Sequence, residues 1–338
     1  MNAIIIIVTA ITAFAVTALS GFALVPFLRK VKFGQTIKDI GPTWHKHKQG
    51  IPTMGGLMFI AGTIAAVFAG YLTFTAVRPE GAWSMTENDT ARLVAGVGLS
   101  LMFAFVGFMD DYISVVKKRN LGLKARHKTV MQILIAIVYM FIMYHTDSGD
   151  TLVDIPFAGQ WDLGILYYPM MVIAIYFLVN AVNITDGIDG LAGSVTFAAA
   201  VSFMIISAIL QYSGAGIFAT ALAGGCLGFL AWNFYPAKVI MGDVGSMFLG
   251  GAVVALGFIC RRPVILALVG VIYIIEAMSV VLQVISFKTT GKRIFKMSPI
   301  HHHYEMKGWS ETKIVLTFSA IAVIFGGIAV LSVVFAVS

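Results

Sequence analysis

The chain has 338 residues, of which 59% are hydrophobic and 12% are charged, and its formal net charge is +7. Long apolar stretches recur from end to end, which excludes an ordinary soluble domain. The excess positive charge is expected to face a membrane surface rather than nucleic acid, since no arginine-aromatic binding module accompanies it. Cys226 and Cys260 both fall in apolar stretches, so they indicate neither a disulfide framework nor a metal site.

Ten apolar stretches are each about long enough to cross the ~30 Å of a bilayer's hydrocarbon core. We therefore predict an all-α, polytopic membrane protein in which residues 1–338 form a single integral-membrane domain. The first stretch lacks a basic start and is too long for a signal peptide, so we expect it to be a retained span. The predicted spans are 4–28, 54–76, 92–109, 130–145, 166–183, 191–212, 215–232, 245–260, 264–287 and 313–337.

The distribution of basic residues predicts the orientation of these spans. If the N-terminus lies outside, the outside loops contain only four of the Lys and Arg residues, Arg78, Arg92, Arg261 and Arg262, and all the others lie in the inside loops. This bias is typical of the positive-inside rule and predicts that both termini are periplasmic or extracellular. The inside loops are then 29–53, 110–129, 184–190, 233–244 and 288–313.

A pair of acidic residues, Asp110 and Asp111, ends the third predicted span. Adjacent side chains on a helix diverge by about 100°, so the two carboxylates are expected to serve different partners. Carboxylates gathered at the membrane edge usually indicate a divalent metal and a phosphorylated substrate. The alternative is that both are solvated acids at a helix end, where they would oppose the helix dipole.

Residues 180–190 read NAVNITDGIDG, in which Asn180, Asn183, Asp186 and Asp189 recur at intervals of three. On a helix this spacing keeps side chains on roughly one face. The interposed glycines predict that the helix ends here and that a loop able to approach a ligand closely follows. Asp189 alone could instead cap the N-terminus of the next span.

Asn233 and Asp243 bracket the next inside loop. Gly242 and Gly245 remove side-chain bulk on both sides of Asp243, so a ligand can come close to it. A hard cation prefers carboxylate oxygens presented in this way, and we predict that Asp243 binds a metal. The alternative is that Asp243 only caps the eighth span.

The last inside loop contains PIHHHYE at 299–305, with His301, His302 and His303 in succession. Consecutive histidines point in different directions and are poor joint zinc ligands. They suit phosphate contact or proton handling instead.

Glu276 lies within the ninth predicted span. An acid inside a membrane is a functional candidate by default. The alternative, that it only hydrogen-bonds a neighbouring helix, is equally open.

The first inside loop contains Lys48 followed by a glycine-rich turn, GIPTMGG, at 50–56. A lysine next to such a turn is typical of phosphate binding, although the G-K-[ST] of a Walker loop is absent. The basic residues between 117 and 128 are largely explained by the positive-inside rule.

Together these motifs resemble those of the phospho-N-acetylmuramoyl-pentapeptide transferases. The acidic pair, the Asn/Asp repeat and the glycine-flanked Asp243 are common to the wider superfamily of polyprenyl-phosphate sugar-1-phosphate transferases. The proline-glycine and histidine motifs are typical of the muramoyl-pentapeptide branch. The matching segments, in order along the chain, are PTMGG at 52–56, GFMDDY at 107–112, NAVNITDGIDGLAG at 180–193, MGDVGS at 241–246 and SPIHHHYEMKGW at 298–309.

This resemblance implies a bacterial inner-membrane (plasma-membrane), multi-pass enzyme with ten spans and its active site on the cytoplasmic face. Its substrates would be UDP-N-acetylmuramoyl-pentapeptide and undecaprenyl phosphate, its products UMP and the lipid-linked peptidoglycan precursor lipid I, and its cofactor Mg²⁺. It also implies a homodimer in the lipid bilayer.

The resemblance also assigns roles to residues. Asp110, Asp111, Asp243 and His302 would be catalytic, with Asp243 at the metal. The expected substrate contacts are Lys48, Thr53, Lys128, Asn180, Asn183, Asp186, Asp189, Asn233, His301 and His303.

Two positions depart from the pattern of the family. Ser114 stands where many members have a lysine, whose part could either pass to Lys117 or be unnecessary. Ile240 stands where many have an aromatic residue suited to stacking on uracil, so stacking is not expected there.

Three alternatives remain open. The lipid phosphate could attack the donor directly, which we favour, or displace a covalent aspartyl intermediate. The donor could be another UDP-N-acetylhexosamine. The acidic cluster could be the ion site of a cation-coupled transporter, but such sites usually lie near the bilayer midplane between repeats, and we find no repeat.

Overall fold

The computed structural model describes residues 2–31, 48, 50–78, 84–116, 122–146 and 149–337. Within these residues ten helices are long and apolar enough to cross a membrane, which confirms the predicted helical, polytopic architecture. Lys117 lies outside the described residues. The ten long helices are α1 (Ala3–Lys30), α2 (Gly56–Val77), α3 (Glu87–Val116), α4 (Ala125–Thr146), α5 (Tyr167–Thr185), α6 (Leu191–Leu210), α7 (Ser213–Asn233), α8 (Gly242–Ile259), α10 (Val271–Thr290) and α12 (Glu311–Val337), and the two short ones are α9 (Leu266–Val269) and α11 (Ile300–Glu305).

Two predicted spans differ from the helices observed. The third was expected to end at the acidic pair, but α3 continues to Val116. The apolar stretch marks only the part of a helix that lies in hydrocarbon, and the helix itself continues beyond it. The ninth was expected to be continuous over 264–287. Instead Pro263 opens a short 3-10 turn, α9 follows, and Gly270 interrupts the chain before α10 begins.

The acidic loop at 146–165, for which no strands were predicted, contains a β-hairpin. Strands β1 (Leu152–Ile155) and β2 (Gly159–Asp162) pair antiparallel, with Leu152 opposite Asp162 and Ile155 opposite Gly159. An ion pair between Asp154 and Arg262 joins the hairpin to the turn that follows α8. The all-α expectation therefore holds for the membrane part but not for this connection.

The centre of the bundle is formed by α7 and α8. In the most apolar 18 residues of α7 and α8, 83% and 89% of the residues are buried, whereas the corresponding share in α1 is 22%. α8 lies against α2, α3 and α5, while α7 lies against α1, α2 and α6. Both helices are rich in Gly and Ala, and small residues let neighbouring backbones approach closely inside a membrane. The short, glycine-rich eighth span is thus an interior helix.

The C-termini of α3 and α5 meet the N-terminus of α8 at one end of the bundle, which we call the acidic end. The residues before α2 pair with those before α8 through backbone hydrogen bonds. Ile240 N donates to Pro52 O at 2.8 Å, Gly55 N to Ile240 O at 2.9 Å and Gly56 N to Met241 O at 2.9 Å. This pairing brings the PTMGG motif beside Asp243.

Candidate active site

Asp243, in the first turn of α8, is the point on which three helices converge. Lys128 of α4 approaches with Nζ 2.5 Å from Asp243 Oδ2. Asn183 of α5 donates from Nδ2 to Asp243 Oδ1 at 3.0 Å and to Ser246 Oγ at 2.8 Å. The carboxylate of Asp243 is therefore held by side chains of α4 and α5. The alternative that Asp243 only caps α8 does not explain these contacts.

Asp111 binds the backbone at the start of α8. Its carboxylate accepts hydrogen bonds from Asp243 N at 3.2 Å and from Val244 N at 3.0 Å. The first amides of a helix lack intrahelical partners, and the helix dipole favours an anion there. Asp111 therefore holds the backbone on which the Asp243 side chain is mounted.

Gly242 allows this close approach. Its φ is +74°, and a Cβ at this position would lie 2.6 Å from Asp111 Oδ2 and 2.8 Å from Thr53 Oγ1. A side chain here would strain the backbone and collide with both groups. Thr53, the threonine of PTMGG, accordingly lies beside Asp111 at the start of α8.

Asp110 points in a different direction from Asp111, as helical spacing predicts. Its Oδ1 accepts a hydrogen bond from Leu123 N at 2.9 Å, in the segment that leads into α4. Its carboxylate also lies close enough to that of Asp243 for the two charges to interact. Both acids of the pair are half-buried and bonded within the protein, so the alternative of two solvated helix-end acids is wrong.

The Asn/Asp repeat is divided between a helix and a turn. α5 ends at Thr185, so Asn180 and Asn183 are helical, whereas Asp186 and Asp189 lie in the turn that follows. The predicted helix end is confirmed, but the four side chains do not share one helical face, because the helix stops before the second pair. Asn180 bonds Gln132 of α4, with Nδ2 3.0 Å from its Oε1.

Asp186 shows that this end of the bundle carries surplus negative charge. Burial, the largest cause, and the carboxylates of Asp243, Asp111 and Asp189 together raise the pKa of Asp186 to about 8, while Lys48 opposes them. A carboxyl with such a pKa gains stability from any cation brought close to it.

Lys48 is buried between two acids. Its Nζ lies 2.8 Å from Asp189 Oδ1 and 2.6 Å from Glu311 Oε2, and only 5% of the residue is exposed. Burial, the largest influence, lowers the pKa of Lys48, but the hydrogen bonds and charges of Asp189 and Glu311 outweigh it and raise the pKa overall. Lys48 therefore joins the segment before α2 to the Asp189 turn and to α12.

Asp189 and Asn233 stabilise the neighbouring loops. Asp189 does not cap α6, because the N-cap of that helix is Gly190 and no side chain bonds there. Asp189 Oδ2 instead accepts a hydrogen bond from Ala237 N at 3.0 Å. Asn233 accepts from Gly190 N at 3.0 Å and donates to Val239 O at 2.9 Å. The capping alternative for Asp189 is wrong because tertiary partners take its oxygens.

The first two histidines of the run lie on α11 and bond to different acids. His301 is fully buried, with Nδ1 2.9 Å from Glu276 Oε2. His302 is half-buried, with Nδ1 2.5 Å from Glu305 Oε2. His301 thus faces the protein interior, whereas His302 lies nearer the surface.

His303 also makes a protein contact, accepting from Lys296 N at 3.0 Å through its Nδ1. Partial burial lowers the pKa of His303, and the positive charges of Lys307 and Lys296 lower it further. This histidine is therefore more often neutral at pH 7 than an unperturbed one.

The donor set suits a hard divalent cation held by few protein ligands. In the part of the chain that the structure describes, no three His, Cys, Asp or Glu side chains form a ready-made metal cage. Mg²⁺ commonly uses one or two carboxylates and completes its shell with water and substrate phosphates. The carboxylates of Asp110 and Asp243 lie close to each other and fit such a cation. The negative charges around Asp186 would also be offset by it.

Three residues in these contacts were missed by the sequence reading. Ser246 and Gln132 carry ordinary polar side chains within apolar spans, which give little signal. Glu311 begins α12, where an acid is usually explained by the helix dipole alone. Their roles depend on partners more than 45 positions away along the chain.

Comparison with known proteins supplies independent observations. The chain matches the family described as Glycosyl transferase family 4 over residues 93–261. It also matches phospho-N-acetylmuramoyl-pentapeptide-transferase signature 1 over residues 48–60, a segment that contains Lys48 and Thr53.

Curated relatives with the name phospho-N-acetylmuramoyl-pentapeptide-transferase align over nearly the whole chain. The protein of Heliobacterium modesticaldum is 45% identical over 322 residues, 95% of each chain. That of Bacillus subtilis is 42% identical over 317 residues, 94% of each chain. That of Clostridioides difficile is 43% identical over 327 residues, 96% of this chain and 97% of the relative.

The contacts of Lys48 predict a structural effect of Glu311→Gln. The substitution keeps the size of the side chain but removes one of the two charges that stabilise a buried ammonium. A hydrogen bond to a charged group contributes about 1.5–3 kcal/mol, so we expect a loss of this order in the free energy of unfolding. Unfolding in mixed micelles measures it. Glu87→Gln, at the exposed start of α3, is the matched control, and equal stability of the two variants would contradict the prediction.

Proposed function

The chain belongs to the phospho-N-acetylmuramoyl-pentapeptide transferase family, and we propose that it transfers phospho-N-acetylmuramoyl-pentapeptide from its UDP-linked donor to undecaprenyl phosphate, with release of UMP. The observation that carries the proposal is the meeting of Asp110, Asp243 and Lys128 at the acidic end. Two anionic substrates can react only where positive groups offset their repulsion and carboxylates can hold a metal.

In the reaction that we propose, an oxygen of the lipid phosphate attacks the phosphorus attached to the sugar. A new phosphorus–oxygen bond forms, and the bond to the bridging oxygen breaks, so that UMP leaves with the electron pair. Charge accumulates on the leaving phosphate during this exchange, and stabilising that charge is the main catalytic task.

Lys128 and a cation held by Asp243 would both act on this charge. Mg²⁺ bound through Asp243 would neutralise the diphosphate and the departing UMP. The ammonium of Lys128, 2.5 Å from Asp243 Oδ2, is near enough to turn toward a phosphate once the carboxylate has another cation. Asn183 would keep Asp243 in position through its bond to Oδ1.

Asp110 is our candidate for orienting the lipid phosphate. Its neighbour Asp111 is engaged with the start of α8, whereas Asp110 lies beside Asp243 and the segment leading to Lys128. A phosphate monoester has its second pKa near ~6 and is largely ionised at neutral pH. Little base catalysis is then needed, which favours direct attack. His302, which is bonded to Glu305, would contribute to proton or phosphate handling.

We propose that the acidic end faces the cytoplasm, where the UDP-linked donor is made available. The support is the excess of Lys and Arg in the loops at this end. The hairpin and both chain termini would then lie on the outer side.

Replacing Asp243 tests the proposed chemistry. Asp243→Asn keeps the shape but removes the charge that would hold the metal, so UMP release from UDP-N-acetylmuramoyl-pentapeptide and undecaprenyl phosphate should fall by about 10²-fold or more. Asp162→Asn, on the exposed hairpin, should retain full activity. Near-normal turnover of Asp243→Asn at saturating Mg²⁺ would contradict the assignment. Turnover of other UDP-N-acetylhexosamines in preference to this donor would contradict the proposed substrate.

Direct attack predicts that UMP release requires the lipid. Purified protein mixed with the UDP-linked donor and Mg²⁺ should give no burst of UMP until undecaprenyl phosphate is added, and Asp110→Asn should leave weak activity. Rapid-quench measurement of UMP distinguishes the schemes. A burst equal to the enzyme concentration without lipid, lost in Asp110→Asn, would instead indicate a covalent aspartyl intermediate.

Cysteine labelling tests the orientation. Cys226 and Cys260 are buried, so the native background should be low. Single cysteines at the exposed positions Lys292 and Lys307 should resist a membrane-impermeant thiol reagent in intact cells, whereas one at Asp150 should react. The opposite labelling pattern would overturn the proposed orientation.

A further inference from the structure

Glu276 and His301 form a fully buried pair that the proposed reaction does not use. Both residues are 0% exposed, and His301 Nδ1 lies 2.9 Å from Glu276 Oε2. Glu276 lies within α10, and His301 lies on the six-residue helix α11. An acid in the interior of a membrane protein is costly to maintain, so its partner indicates what it does.

The bond to Glu276 determines which way the imidazole of His301 presents its two nitrogens. We assign the proton of this bond to Nδ1, because an ionised carboxylate only accepts hydrogen bonds. The other nitrogen, Nε2, has no hydrogen-bond partner among the described residues. Glu276 thus orients the ring through one nitrogen and directs the other toward a different element.

That element is the turn after α5. A Cβ built on Gly187 would lie 2.1 Å from His301 Nε2, so only glycine permits the turn to come this close to the ring. Gly187 stands between Asp186 and Asp189, the two acids of the turn. His301 is therefore wedged between α10 and the acidic turn.

The short helix α11 needs such an anchor. A helix of six residues is not stable by itself, because the cost of nucleation is not recovered over so few hydrogen bonds. The ring of His301 also contacts that of His302 edge to face, with centroids 4.1 Å apart. Displacing His301 would therefore move His302 as well as the acidic turn.

We propose that Glu276 is a positioning residue for the transfer reaction: by accepting a hydrogen bond from His301 Nδ1 it anchors α11 against the acidic turn and thereby fixes the position of His302. The inference rests on the proposed function, in which His302 serves the reaction. Glu276 itself touches no substrate in this scheme and acts through His301.

Three variants separate positioning from a general loss of stability. Glu276→Gln retains an oxygen that can accept from Nδ1, whereas Glu276→Leu is similar in size and cannot accept. Tyr273→Phe is the matched control, since it removes one buried hydrogen bond of α10, from Tyr273 Oη to Thr196 Oγ1 at 2.8 Å, without touching α11.

We expect Glu276→Leu to lower kcat for UMP release by about tenfold or more while KM for the UDP-linked donor changes by less than about threefold. Glu276→Gln and Tyr273→Phe should both stay within about threefold of the wild-type kcat. The proposal is overturned if Glu276→Leu keeps the kcat of Tyr273→Phe, or if Glu276→Gln is as impaired as Glu276→Leu.

Hydrogen exchange of the α11 amides gives a second readout that does not depend on activity. Exchange of residues 300–305 should be faster in Glu276→Leu than in the wild type and unchanged in Tyr273→Phe. Unchanged exchange in Glu276→Leu would refute the anchoring. A wild-type protein without UMP release would refute the proposed function instead, and the exchange result would still decide whether Glu276 anchors α11.

Discussion

The structure of the acidic end depends on one constraint, the cost of gathering carboxylates where water is scarce. A buried charge without a partner is strongly destabilising, whereas a paired and hydrogen-bonded one is tolerated. Three of the acids accordingly have partners from different elements: Asp243 has Lys128, Asp111 has the first amides of α8, and Asp189 has Lys48. Satisfying these charges brings together loops that are far apart in the chain.

The interior position of α8 makes this arrangement possible. Its small residues let α3 and α5 approach along its length, so that their C-termini end beside its N-terminus. A helix N-terminus carries partial positive charge and free amides, which favour an anion. The packing of the bundle therefore creates a favourable place for Asp111 before any substrate or metal is considered.

The partners of Lys48 bear on the prediction that this lysine, beside a glycine-rich turn, binds phosphate. Its ammonium is buried and already contacts Asp189 and Glu311, so a phosphate could reach it only by displacing a carboxylate. In this arrangement Lys48 stabilises the loops around the site. Lys128, less buried and bound to a single acid in the described structure, is better disposed to exchange its partner for a phosphate.

The sequence by itself determined the membrane-spanning class, the ten spans and the residue types of the site, because apolar length and clustered acids are properties of local composition. It also predicted that Asp110 and Asp111 diverge, since adjacent helical positions must. Only the tertiary structure decided that Asp111 binds α8, that Glu311 joins Lys48 and that Glu276 meets His301. Those pairings connect residues between 25 and 263 positions apart, and which charges meet depends on how the helices pack, which no local pattern encodes.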